Sequence, residues 1–301
     1  MENDFDFYNR TNIKTYNLNS SMQFQLAILD TLDDFTRKHS ENVANITCRL
    51  CEYLHKKTSF IIYCTMCAYL HDIGKVFIPP AILQKNGPLT DEEFEKMKTH
   101  TTLGYKMCME DPRLRPYSAG PKFHHEALDG SGYPEGLTKK DIPIEGQIIR
   151  VAGEFDALTS KRQYKTHIGI CETLKILIEE TIPSGNSTVG KTNPKIVKAL
   201  LKVVLDDTDY EISCLSSYCK HLQEQINRLH TLDKYYQKLE KAKSQSKKEY
   251  IEMNINYYLQ DGETFENFKD ILKDYENSYQ ARKAKIDKLF AEKKEIKKLK
   301  I

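Results

Sequence analysis

Between about Met22 and Leu205 apolar residues recur three and four positions apart, and the runs end in short glycine- or proline-containing loops. Lys85-Asn86-Gly87-Pro88 and Asp129-Gly130-Ser131-Gly132 are examples. No stretch alternates convincingly with a period of two, so the pattern predicts helices throughout. One helix start is explicit. Thr90, followed by Asp91, Glu92 and Glu93, forms a Thr-x-x-Glu capping box that seats a helix running toward His100. Pro183 to Asn193 is rich in Gly, Ser, Thr and Asn and reads as a loop, with Pro194 placed where a first helical turn tolerates it.

From about Asp206 the composition shifts to Lys and Glu, and loop signals thin out. Phe268, Leu272, Tyr275, Tyr279, Arg282, Ile286 and Leu289 are spaced alternately four and three apart, a heptad seam with a polar break at Arg282. Leu222, Ile226, Leu229 and Tyr236 suggest an earlier helix of the same kind. Two arrangements satisfy such a seam: an antiparallel helical hairpin within the chain, or a coiled coil joining a homodimer or a partner protein. The expected organisation is all-α in three segments. These are a polar lead-in over 1–21, a helical domain over 22–205 and a Lys/Glu-rich helical extension over 206–301.

The 301 residues suffice for one sizeable core plus an appendage. A formal net charge of +2 announces no nucleic-acid partner, and Lys293, Lys294, Lys297 and Lys298 read as a solvated helix face. The opening residues MENDFDFYN lack an apolar segment, and the apolar run near Phe60–Leu70 is too short to span a bilayer. A cytoplasmic protein without membrane attachment is expected, and its eight cysteines should be reduced thiols. Cys48-x-x-Cys51 and Cys64-x-x-Cys67 imitate a four-cysteine zinc site by spacing alone. Both pairs fall in apolar helical segments without the glycine-containing knuckles of zinc ribbons, so buried core thiols are the expectation.

The chemistry gathers in His39, His71, Asp72, His100, His124 and His125. Singly, each histidine is unremarkable, and His55, His167, His221 and His230 keep that status. Five imidazoles with one carboxylate suit Fe, Mn, Zn or Ni and suit Ca poorly. An adjacent His-Asp pair can set its carboxylate between two metal ions, about 3.5–4 Å apart, that activate water for in-line attack at phosphorus. Lys75 follows His71 by one helical turn and can meet a phosphate oxygen as a point charge.

Longer stretches make the reading specific. His71-Asp72-Ile73-Gly74-Lys75-Val76-Phe77-Ile78-Pro79 resembles the HDIGK-x-x-I-P signature of the HD-GYP phosphodiesterases, a branch of the HD superfamily. His124-His125-Glu126, Asp129-Gly130 and Ser131-Gly132-Tyr133-Pro134 match the block that names the branch. Phe155-Asp156-Ala157-Leu158-Thr159-Ser160, with Arg162, Tyr164 and Lys165, matches a further stretch, and Asn193-Pro194-Lys195-Ile196-Val197 resembles the closing helix start. The resemblance spans about 33–205 and implies an HD-superfamily helical bundle. It also implies that His39, His71 and Asp72 hold one metal, and that Asp72, His100, His124 and His125 hold a second, with iron or manganese as the pair. On the same resemblance Asp72 and Lys75 would take the catalytic roles, Lys75, Arg162 and Lys165 would contact substrate phosphates, and Gly132, Tyr133 and Pro134 would shape the pocket. The implied substrate is cyclic di-GMP, opened to pGpG and in some members on to GMP; other members prefer a hybrid cyclic GMP-AMP.

Two departures qualify the resemblance. The family's last metal ligand is an Asp in an A-D-x-F-D-A-L run, which here reads Ala152-Gly153-Glu154-Phe155-Asp156-Ala157-Leu158, so Gly153 stands at the ligand position. Glu154 is adjacent but rotated by about 100°, and Asp156 is expected to support the site from behind or to pack. Phe35 stands where trinuclear members carry Glu, which argues against a third ion. Loss of one anionic ligand leaves two functional expectations: a working phosphodiesterase, or a degenerate domain that binds a cyclic dinucleotide or a partner without efficient turnover.

Overall fold

The computed structural model describes residues 34–160, 168–185 and 187–301. Among them there is no strand, and ten α-helices carry the fold: α1 Asp34–Tyr53, α2 Thr58–Leu70, α3 Pro80–Leu83, α4 Asp91–Glu110, α5 Ala119–Phe123, α6 Ile144–Thr159, α7 Ile170–Glu179, α8 Pro194–Glu240, α9 Gln245–Tyr258 and α10 Phe268–Ile296. Short 3-10 turns occupy Ile73–Phe77 and Arg115–Tyr117. The all-α expectation holds. The lead-in over 1–21 lies outside the described residues. None of the described helices is long and apolar enough to cross a membrane.

The chain divides into two compact units. One ends at Leu205 and takes in 298–301, and the other is Asp206–Lys297. In the first, α2 is the central helix. From Cys64 to Leu70 only Tyr69 is not fully buried, as befits a helix apolar on nearly every side. It packs on α1, α5 and α6, and α6 packs in turn on α7. Leu50, Leu70, Ile148, Ile149, Leu174, Leu177 and Leu200 are fully buried in this core. Helix α4 begins at the predicted capping box: Glu93 N–H donates to Thr90 Oγ1 (3.2 Å), and Thr90 N–H donates to Glu93 Oε2 (2.7 Å). The 3-10 turn Ile73–Phe77 lies against α4. Gly74 makes this approach possible, because a Cβ there would stand 1.9 Å from the His100 carbonyl oxygen.

Cys48, Cys51, Cys64 and Cys67 are free thiols at 0% exposure, as expected of core positions. Burial pushes Cys48 and Cys67 up to about 12, far from the thiolate that zinc ligation requires.

In the second unit, Leu229, Leu232 and Tyr236 of α8, Ile251 and Ile255 of α9, and Phe268 of α10 form a buried cluster, with Leu272 and Tyr275 packed against it. Ion pairs Asp209–Lys293, Glu211–Lys285 and Asp233–Lys269 join α8 to α10 in antiparallel order. The seven predicted seam residues of α10 are all shielded from full exposure, with Phe268 and Leu289 buried. Of the two arrangements expected for the seam, the intrachain hairpin is present. Its end is tied by Arg228, whose guanidinium donates to the Tyr258 carbonyl (2.6 Å) and pairs with the Glu263 carboxylate.

Candidate metal centre

Helix α2 ends at His71, and Asp72 opens the following 3-10 turn. Around this junction two groups of side chains gather, His39–His71–Asp72 and His100–His124–His125. The ligand atoms within each group lie within 4.8 Å of one another, and these are the metal-competent groups among the described residues. All six sequence-predicted ligands are therefore together. His39 comes from α1, His100 from α4, and His124 and His125 from the end of α5.

Asp72 divides its carboxylate between the two groups. Oδ2 faces His71 Nε2 (3.3 Å) and His39 Nε2 (3.7 Å), while Oδ1 faces His100 Nε2 (3.3 Å) and His124 Nε2 (3.8 Å). The opposite ring nitrogens are engaged. His71 Nδ1–H donates to the Ala68 carbonyl (2.6 Å), His100 Nδ1–H to Met97 (2.7 Å) and His124 Nδ1–H to Gly120 (2.9 Å). His39 Nδ1–H donates to Asp156 Oδ2 (2.6 Å). A carbonyl or carboxylate oxygen only accepts, so each Nδ1 carries the proton and each Nε2 presents a lone pair, the usual arrangement behind a metal-ligating imidazole.

Electron pairs therefore point at one another. His100 Nε2 and His124 Nε2 stand 3.1 Å apart with no hydrogen to place between them. Asp72 Oδ1 is buried without a hydrogen-bond partner. Such an array is costly unless cations lie within it, so the residues fit bound metal cations. Burial pushes His39, His124 and His125 down, and His100 to about 4, so these rings are neutral at physiological pH. Burial works against the Asp72 carboxylate, but the Lys75 ammonium beside it leads the groups that outweigh burial and hold Asp72 well below the usual range.

Supports stand behind the ligands. Asp156, on α6, also accepts from Asn42 Nδ2 (2.9 Å) and Ser160 Oγ (2.9 Å), which fixes the carboxylate that orients His39. Lys75 places its ammonium 2.6 Å from Asp72 Oδ2. The loop after His125 folds back over the site. Tyr133 stacks on the His125 ring (4.5 Å between centroids, 19° between planes), and Tyr133 N–H donates to the His125 carbonyl (3.1 Å). Gly132 has no room for a side chain, since a Cβ would lie 2.2 Å from the Ala127 nitrogen. The buried Glu126 carboxylate accepts from Glu135 N–H and Leu137 N–H (both 2.8 Å) and so pins the loop beyond Pro134.

Gly153 contributes no ligand, and a Cβ built there meets nothing within 4 Å. Glu154 does not take its place. It belongs to neither group, its carboxylate is 3.7 Å from Arg150, and Glu180 and Lys191 are its other charged neighbours. Burial raises Glu154 to about 7 against the pull of Arg150. Arg162, Tyr164 and Lys165 lie outside the described residues, as does the Phe35 side chain. His55, His221 and His230 are exposed. Sequence reasoning left out Arg150, which donates to the His125 carbonyl (3.3 Å), and Phe94 and Lys98, which flank Tyr133. The spacing of Phe94 and Lys98 on the helix that carries His100 was the available signal.

Comparison with known proteins follows the same outline. A cyclic di-GMP phosphodiesterase of Thermotoga maritima is 39% identical over 191 residues, covering 61% of this chain and 50% of the relative. A cyclic di-GMP phosphodiesterase of Pseudomonas aeruginosa is 31% identical, covering 60% and 42%. A 3'3'-cGAMP-specific phosphodiesterase of Vibrio cholerae is 33% identical, covering 50% and 33%. The chain thus spans half or less of the length of these curated relatives. The family model described as HD domain matches residues 23–182, more than half of the sequence. This chain belongs to the HD domain family.

Proposed function

We propose that this chain is a metal-dependent phosphodiesterase that opens cyclic di-GMP to pGpG. One observation carries the reading: a buried carboxylate whose two oxygens serve two groups of imidazole lone pairs, with a lysine ammonium beside it. Iron or manganese, bound as a pair by His39, His71, Asp72, His100, His124 and His125, would supply an activated water and neutralise charge at phosphorus. Asp72 holds the two halves of the site in register. Asp156 keeps His39 turned inward. Lys75, released from Asp72 when the carboxylate serves cations, turns its charge to a nonbridging phosphate oxygen. The loop Gly132-Tyr133-Pro134 shapes one wall, and Arg162 and Lys165 add cationic contacts to phosphate. Water oxygen bonds to phosphorus, the bond from phosphorus to the 3'-oxygen breaks, and the leaving oxygen takes a proton. Relatives named for cyclic di-GMP and for 3'3'-cGAMP support a cyclic dinucleotide as the substrate class.

A second reading has a specific observation in its favour. Gly153 offers no ligand and Glu154 faces Arg150, so the His39 side of the site has fewer anionic donors than the family pattern supplies. On that reading the domain binds the nucleotide as a receptor. Metal analysis with product chromatography on cyclic di-GMP decides between them. The enzyme reading expects pGpG with manganese or iron and none from Asp72→Ala. Nucleotide binding without product over long incubation replaces it with the receptor.

A further inference from the structure

Phe94 is a large apolar residue that the fold leaves open, at 45% exposure, beside the metal centre. Its ring meets Tyr133 edge-on at 6.5 Å, and Tyr133 stacks on His125 at 4.5 Å. The Lys98 ammonium lies 4.9 Å from the Phe94 centroid and 5.6 Å from the Tyr133 centroid, and its carboxylate partner is the exposed Glu95 (2.6 Å). Phe94, Lys98 and His100 all belong to α4, so one rigid helix fixes this aromatic and cationic surface relative to a metal ligand. Two ring contacts separate Phe94 from His125, a span comparable with that between a nucleotide's phosphate and the far edge of its base.

We infer that Phe94, Lys98 and Tyr133 form a stacking platform for a purine base of the substrate. The inference rests on the cyclic dinucleotide reading above and adds residues that contact the base. An open aromatic face stacks a base by its π surface, and guanine adds O6 and N7 acceptors that suit an ammonium. Orientation of the base by this platform presents the adjoining phosphate to the ligand groups.

The chain contains no tryptophan, so F94W introduces a single indole at the platform. The test uses the full chain loaded with manganese and a phosphorothioate analogue of cyclic di-GMP that resists turnover. Quenching of the indole is expected to saturate at the concentration at which calorimetry shows the wild type filled. F94A is expected to raise KM for cyclic di-GMP by about 5- to 100-fold, more than it lowers kcat, with metal content unchanged. Calorimetric binding to F94W without any change in fluorescence, or an unaltered KM in F94A, overturns the platform alone. A wild-type chain that neither binds nor hydrolyses the nucleotide overturns the cyclic di-GMP reading and the platform with it.

Discussion

Restoring a carboxylate with Gly153→Asp separates the two functional readings. Position 153 precedes Asp156 by three residues in α6, so its side chain emerges about 60° from Asp156 and one turn toward the N-terminus. Asp156 points at His39, and the new side chain therefore shares the face that serves the His39 group. A Cβ meets nothing within 4 Å, so the first side-chain carbon enters without displacing a neighbour, and leaving glycine contributes only about 0.3 kcal/mol in helix propensity. Without ions, a third carboxylate beside Asp72 and Asp156 adds repulsion, so the chelated variant gains nothing. With ions, one more anionic donor should tighten binding about 10- to 100-fold, the scale seen when even supporting groups around a metal are changed. At saturating manganese that adds about 1.4–2.7 kcal/mol of metal-dependent stability, or roughly 3–10 °C in Tm. Thermal unfolding over a manganese titration, against a chelated baseline, measures the gain, and product chromatography shows whether turnover rises with it. A variant with the same chelated Tm and the same manganese affinity as the wild type would refute the placement of residue 153 at the metals.

Two further predictions follow from the supports of the site. Asp156→Asn keeps the shape but removes the charge that orients His39, so manganese affinity should fall about 10- to 100-fold with the far-UV spectrum unchanged; equilibrium dialysis measures it, and unaltered affinity contradicts the role. Glu154 holds its proton to about pH 7 in the fold but to about 4.5 when unfolded. As pH rises from 4.5 through 7 the unfolded chain releases a proton that the folded chain keeps, and stability declines by on the order of 1–3 kcal/mol. Glu154→Gln should remove that decline, standing level with the wild type at pH 4.5 and above it at pH 8 in urea unfolding of the chelated protein; parallel curves would count against the buried acid.

The gathering of five imidazoles around Asp72 was legible through the motifs that carry them, His71-Asp72 with Lys75 and the His124-His125 block, whose family resemblance singled out these side chains from the chain's nine histidines. The capping box at Thr90 was legible because its two hydrogen bonds are local. The seam of α10 was legible as a stripe, from Phe268 to Leu289, but not its partner: a heptad fits the α8 residues Leu229 and Tyr236 as well as a second chain, and the sequence carries no geometry to choose. Glu154 was ambiguous for the same reason. Its reach toward the metals or toward Arg150 depends on where α7 puts Glu180. Phe94 escaped notice because a single aromatic on an amphipathic helix usually packs inward, and its exposure is a property of the assembled surface.

The turn from His71 to Lys75 mixes two kinds of requirement. His71, Asp72 and Lys75 bear donors and charge, whereas Ile73 is wholly buried and Gly74 exists so that a turn and a helix can touch. Intolerance to substitution along this signature therefore cannot be equated with chemistry. Grafting the ligands onto another scaffold would have to import the contact between backbones as well, because the placement of His100 opposite Asp72 depends on an atom that is not there.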